Sequence, residues 1–270
     1  MKSKGLALFL CSALILGLSG CGNVDQITVD KTKVPVNYTA EYFVTTDSNV
    51  SENGKLQYNN AYTVAIDEET NELLISSKTD EYWSNKQEGD NFLEGRQIIT
   101  TLSKINYSDN VGVPNYVEQE FYITADESYY TKFTFEHDHD INAGLLKTKK
   151  YSKNSETDFM EETYSLQLIK QYFDKDSLPF IISAFNEDDG VIKISSGNRD
   201  SLQAVKYEFM ENEEITVKAG KFSCRVVRLR PNTDFSVNSA KIYIDSETGI
   251  PVKVVHDSSV MELSSPIKFN

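Results

Sequence analysis

The chain has 270 residues, 39% hydrophobic and 25% charged, with 41 Asp and Glu against 27 Lys and Arg. A formal net charge of −14 argues against a nucleic-acid partner and against docking on anionic lipid headgroups. Three cysteines are too few for a disulfide framework, so the folded body must be held by its apolar core, for which the length is ample.

The first twenty-one residues, MKSKGLALFLCSALILGLSGC, carry Lys2 and Lys4, an apolar stretch over 6–18, and small residues before Cys21. That is a charged region, an apolar region and a cleavage site, too short for a spanning helix, which needs ~20 apolar residues. Leu18-Ser19-Gly20-Cys21 resembles the lipobox of bacterial lipoproteins. The resemblance implies cleavage before Cys21, a diacylglyceryl group on its thiol, and acyl chains as the anchor. The alternative is an ordinary secretory signal whose cysteine is accidental. On the lipoprotein reading residues 1–20 are the signal peptide, Cys11 leaves with it, and the loss of Lys2 and Lys4 takes the formal charge from −14 to −16. The protein is then expected on the extracytoplasmic face of a cell membrane. There Cys224 is left without an intramolecular disulfide partner.

Residues 21–36 read as a tether, and 37–270 as one β-rich domain. From residue 37 onward the hydrophobic period is two. YVEQEFYITA (116–125) places Val117, Phe121 and Ile123 on one side and Glu118, Glu120 and Thr124 on the other. YYTKFTFEH (129–137) alternates in the same way. Further runs lie near 38–46, 58–66, 71–77, 96–106, 143–151, 190–196, 202–219, 222–230, 240–245 and 250–256. Alternation of this kind predicts half-buried strands. The loops IDEETNELL (66–74) and IDSETGIPV (244–252) share one plan: a strand end, an Asp, a polar loop, then Asn71 or Gly249, the residues that accept positive φ at a hairpin exit.

One region breaks the rhythm. YSLQLIKQYFDKDSLPFIISAF (164–185) sets Tyr164, Leu168 and Tyr172 at helical spacing. Ser177 and Pro179 then open a second helical turn bearing Leu178, Ile181, Ile182 and Phe185. The expectation is a long antiparallel meander with a helical insertion around 165–185.

EEITVKAGKFSCRVVRL and AKIYIDSETGIPVKVV together resemble a family of exported bacterial domains of unknown function. Glu214, Val217, Ala219, Gly220, Phe222, Val227, Tyr243, Pro251, Val252 and Lys253 carry the match, and DSLPFIISAFN sits where that family has a short apolar helix. The resemblance covers about 165–258 and extends to the lipoprotein-localisation-factor type of fold, as in LolA and LolB. It implies a curved antiparallel half-barrel with helices over its concave side, and a cavity between them. The residues themselves are turn and packing residues: Gly220 supplies positive φ after Lys218-Ala219, and Phe222 restarts the next strand.

The candidate sites follow from the same residues. Cys224 could be a nucleophile, a ligand, half of a disulfide or packing; the motif offers no base or oxyanion donors, and a free cysteine is commonly a small buried hydrophobe. In FEHDHD (135–140) His137 and His139 share a face of an extended segment and, with Asp138, Asp140 or distant His256, are the metal candidates. A strand end entering a loop explains the same letters, and no metal or other cofactor is expected. The acidic loops do not spell a calcium loop, and the chain has no G-x-S-x-G, P-loop, H-E-x-x-H or dinucleotide fingerprint, so no catalytic residue is assigned. The expected protein is a non-enzymatic lipoprotein binding an apolar or amphipathic ligand, such as a lipid or acyl chain. The alternative is an envelope sensor or scaffold that meets another protein. Its expected partners are the membrane, through Cys21, and a hydrophobic ligand or an envelope protein.

Overall fold

The computed structural model describes residues 27–47, 55–86, 92–107, 114–123, 129–138, 145–151, 159–165, 171–195, 202–231 and 239–270. The strands are β1 (Tyr38–Asp47), β2 (Lys55–Asp67), β3 (Glu72–Lys86), β4 (Phe92–Asn106), β5 (Pro114–Ile123), β6 (Tyr129–Asp138), β7 (Leu145–Tyr151) and β8 (Phe159–Ser165). After the short helix α1 (Leu178–Ile181) come β9 (Asp189–Ser195), β10 (Leu202–Val217), β11 (Gly220–Pro231), β12 (Ala240–Asp245), β13 (Pro251–His256), β14 (Ser259–Leu263) and β15 (Lys268–Phe269). All pair antiparallel in one open, curved sheet of order β8-β7-β6-β5-β4-β3-β2-β1-β14-β13-β12-β11-β10-β9, with β15 beside β1. The chain is mainly β, as its alternation predicts.

The pairing joins the two halves of the chain. Strand β1 lies between β2 and β14, with Tyr42 opposite both Asn60 and Leu263. Alternation then decides the faces. Tyr38, Ala40, Tyr42 and Val44 on β1 are all buried, and so are Val64, Ile75 and Leu73, which follow across β2 and β3. One extra residue on β10 between Met210 and Glu213, and one on β13 opposite Tyr243 and Ile244, break the register. Such bulges sharpen twist and help to curl a sheet.

The two matched loops fold alike. The Asp67 carboxylate accepts from the N–H groups of Glu69 and Thr70, and the Asp245 carboxylate accepts from Thr248. Asn71 exits at φ 54° and Gly249 at φ 74°. Gly220 also takes positive φ, as its turn requires.

Three expectations change. The tether does not run to residue 36. Ile27, Val29 and Val34 are buried in the core, and the Gln171 side chain holds both the N–H and the carbonyl of Ile27. Val29 bridges Phe185, and Asp30 N–H donates to Ala184 O. An apolar i, i+2 pair at 27 and 29 is a strand-like signal that the polar neighbours mask. Where helical turns were expected from 164 to 173, residues 164 and 165 end β8 and Phe173 makes a parallel bridge to Ile194, while 166–170 lie outside the described residues. Among the described residues of this insertion only α1 and the 3-10 turn Ile182–Ala184 are helical. Finally, β8, β14 and β15 are strands that the reading passed over.

The covering layer is residues 171–185. Leu178, Phe180, Ile181, Ile182 and Phe185 are essentially fully buried, each contributing about 1.5–3 kcal/mol of burial. Phe180 packs 4.5 Å from the Tyr62 ring and edge-on to Tyr42. Phe185 meets Phe173 and Tyr207 at 5.2 and 5.1 Å. This layer and the 27–36 segment therefore fill much of the concave face between β1–β3 and β9–β14. Among the described residues no helix is long and apolar enough to cross a membrane.

Candidate functional site

Among the described residues the covering layer leaves two clefts on the concave face, beside the loop that enters α1. Asp174 shapes that loop. Its carboxylate accepts from the N–H groups of Asp176 and Ser177, and its carbonyl accepts from Leu178 N–H and the Ser177 hydroxyl. Ser177 stands at the helix start with Pro179 behind it, as expected, but Ser177 does not cap the helix with its side chain. The result is a fixed elbow that places Lys175 and Pro179 against the sheet.

The first cleft, about 200 Å³, is walled by Leu178, Ile194, Leu229, Ala240, Ile242 and Val254. The second, about 250 Å³, is walled on its sheet side by Asn60, Tyr62, Ser77, Thr79 and Thr101, with Val44, Ile99 and Met261 at its edges. Lys175, Pro179, Val254, His256 and Ser259 line both, so the two are lobes of one site with unlike walls. An apolar cavity of ~150 Å³ already accepts a benzene-sized guest, while drug-sized pockets begin near ~300 Å³. Each lobe therefore fits a ring or a short alkyl segment.

The polar wall follows from register. Asn60 faces Thr79, Tyr62 faces Ser77, and Ser77 faces Thr101 across β2, β3 and β4. All point to the concave side by strand alternation, where their neighbours Val64, Leu73 and Ile105 are apolar. The Ser77 and Thr101 hydroxyls lie 2.6 Å apart, and Asn60 Nδ2 donates to the Tyr62 hydroxyl at 3.1 Å. Asn60 is 8% exposed, yet its Oδ1 has no donor. Sequence reasoning missed this wall. The signal was present as Ser, Thr and Asn at inward positions of otherwise apolar alternation.

His256 sits where the lobes meet. Burial, with the nearby Lys175 charge, pushes its pKa below the usual imidazole value, and Asp176 and Asp257 oppose the shift. Among the described residues no hydroxyl is hydrogen-bonded to it.

The other candidates separate. Cys224 is fully buried and free, beside half-buried Phe222 on β11. Burial pushes its thiol up to about 11, the state of a packed thiol and not of a nucleophile. Cys21 and His139 lie outside the described residues. His137 is on β6, seven strands along the sheet from His256 on β13, and its side chain is not among those described. Among the described residues no cluster of three His, Cys, Asp or Glu could hold a metal ion.

No family model matches the sequence, and no curated protein matches it. Solved structures do. A β-barrel-like protein of the domain of unknown function DUF1849, from Brucella abortus, aligns with TM-score 0.56 at 10% identity over 92% of this chain and 99% of its own. A protein described as exported, with a YmcC-like fold, from Bacteroides fragilis aligns with TM-score 0.30 at 13% identity, covering 90% of this chain and 99% of its own. One described as a lipoprotein, from Parabacteroides distasonis, aligns with TM-score 0.29 at 14% identity, over 90% of this chain and 100% of its own. What the first of these establishes is the fold: this chain is built like a barrel-like protein of unknown function.

Proposed function

We propose that this is a membrane-anchored, extracytoplasmic, non-enzymatic protein that binds a small amphipathic ligand in the two-lobed cleft. The observation that carries the reading is the meeting of an apolar wall on β11–β13 with a hydroxyl-bearing wall on β2–β4. One molecule with an apolar and a polar part suits both. The expectation of an acyl chain narrows to a short alkyl segment, because Phe180, Ile181 and Ile182 occupy the rest of that face. The half-barrel with its covering segment is what the LolA and LolB resemblance implies, and that likeness belongs to this proposal.

The anchor is part of it. If Cys21 is acylated, the chain from it to Ile27, whose backbone Gln171 holds, reaches at most ~22 Å at ~3.3–3.6 Å per residue. The body then stands close to the bilayer.

A second reading has its own support. The filled concave face between β1–β3 and β9–β14 suits a scaffold or sensor that meets another envelope protein through its outer surface. Native mass spectrometry of the soluble body, residues 22–270, separates the two. The binding reading expects a small amphiphile that co-purifies or can be loaded at one per chain. A body that binds none, yet captures an envelope protein, would establish the scaffold reading instead.

A further inference from the structure

We propose that the polar lobe is a subsite for a neutral, polyhydroxylated group. The site as a whole would then take an amphiphile of the alkyl glycoside class, with its head on β2–β4 and its tail on β11–β13. This rests on the binding reading above and names the ligand chemistry that the reading leaves open.

The part of the wall on β2–β4 that carries polar groups has no charged side chain. Asn60, Tyr62, Ser77, Thr79 and Thr101 are amide and hydroxyl groups that both donate and accept, apart from the Asn60 oxygen, which only accepts. A head with several hydroxyls matches such a wall, because each of its hydroxyls can also serve in both senses. A carboxylate or phosphate only accepts and would leave the acceptors facing it unpaired. At the mouth Lys175 and Asp176 carry opposite charges on neighbouring residues, so the entrance favours neither an anion nor a cation.

Asn60 marks the centre of the subsite. It is more than nine-tenths buried on the wall of the cleft, its amide nitrogen is used on Tyr62, and its Oδ1 has no donor. An acceptor buried without a donor is unfavourable to the fold. Oδ1 is closed to water in this conformation; a turn of the amide toward the cleft would let a hydroxyl of the ligand head supply what the chain does not.

The lobes share Pro179, Val254 and His256, so a single molecule crosses from one to the other without leaving the cleft. At about 200 Å³ the apolar lobe suits a short tail such as octyl.

Calorimetric titration of the soluble body tests this with octyl glucoside below its micelle concentration, octanoate and glucose, on wild type, Asn60→Leu and Ala240→Phe. Thermal unfolding of each unliganded protein runs alongside. The expected result is one octyl glucoside per chain, bound at least tenfold more tightly than octanoate or glucose. Asn60→Leu should weaken octyl glucoside at least tenfold while its unliganded Tm stays close to that of wild type, since the loss of an unpaired acceptor offsets the loss of the bond to Tyr62. Ala240→Phe fills the apolar lobe and should abolish binding of both octyl compounds. Equal binding of octanoate and octyl glucoside, unmoved by Asn60→Leu but lost in Ala240→Phe, would overturn the head assignment and keep the binding reading. Loss of Tm and affinity together in Asn60→Leu would make Asn60 a packing residue and also overturn it. No saturable binding of either octyl compound would remove both readings.

Discussion

Gly190→Ala is the sharpest test of how the covered end of the sheet is packed. Gly190 on β9 lies directly opposite Tyr207 on β10. The tyrosine ring lies over the glycine: a Cβ there would stand 2.8 Å from Cε1, 2.9 Å from the hydroxyl oxygen and 3.1 Å from Cζ. Those distances are inside van der Waals contact. Backbone conformation is not the obstacle, because Gly190 is not among the positive-φ residues. On backbone grounds alone alanine would stabilise by ~0.4–1 kcal/mol, through the unfolded chain. The ring has little room to move, being 1% exposed and set edge-on between Phe185 at 5.1 Å and Phe209 at 6.3 Å. Overpacking of this kind costs ~1–3 kcal/mol, so the expected net loss is on the order of 1–2 kcal/mol. Each kcal/mol lowers Tm by roughly 2–4 °C in a body of this size. Urea unfolding followed by circular dichroism should show a lower midpoint at unchanged slope. In a double-mutant cycle with Tyr207→Leu, the alanine should cost markedly less. A Gly190→Ala protein as stable as wild type, or more stable, would refute the ring-over-glycine account.

Other predictions use different levers. Cys224, buried with its thiol raised to about 11, should react slowly with iodoacetamide in the native protein and fast in urea. Cys224→Ala should cost about 1 kcal/mol, and rapid native labelling near neutral pH would defeat the packing account. His256 has a folded-state pKa below its ordinary 6.5, so the unfolded chain takes up the proton first. Stability should be flat in this respect above about 6.5 and fall as pH drops below it. His256→Gln should lessen that slope when midpoints are compared between pH 7.5 and 5.5; an identical slope in the variant would count against a buried neutral imidazole. Cys21→Ser should abolish acylation and either release the protein from membranes or leave it as an unprocessed precursor. Membrane attachment that persists after signal removal in that variant, measured by fractionation, would rule out the lipid anchor.

The parts of this fold that sequence shows well are those with one wet side and one dry side. Strand β1 reads inward at Tyr38, Ala40, Tyr42 and Val44 and outward between them, and period two recovers it almost to the residue. Turn chemistry was equally legible. Asp67 with Asn71 and Asp245 with Gly249 do at the hairpins what those residue types dictate. The covering layer is where pattern fails, and for a physical reason. Residues 178–182 are buried on every side, so their apolar run has no wet face to set a period. The same holds for 171–173, where Tyr172 and Phe173 are both buried and neither helix nor alternation is obeyed.

The site was hidden by a different effect. Asn60, Ser77, Thr79 and Thr101 weaken the alternation of β2–β4, and a reader of periodicity discounts such residues as noise. Only register shows that the exceptions are adjacent. Asn60 meets Thr79, and Ser77 meets Thr101, on three strands separated by loops of unrelated length. A lapse in one strand is common and inexpensive where it can reach water. Lapses aligned across three neighbouring strands form a surface, and here that surface lies under Lys175 and Pro179, opposite an apolar wall. Burying Asn60 Oδ1 without a donor costs the fold ~1–3 kcal/mol. An apolar residue at position 60 would avoid that cost, which is why Asn60→Leu separates a binding role from a structural one.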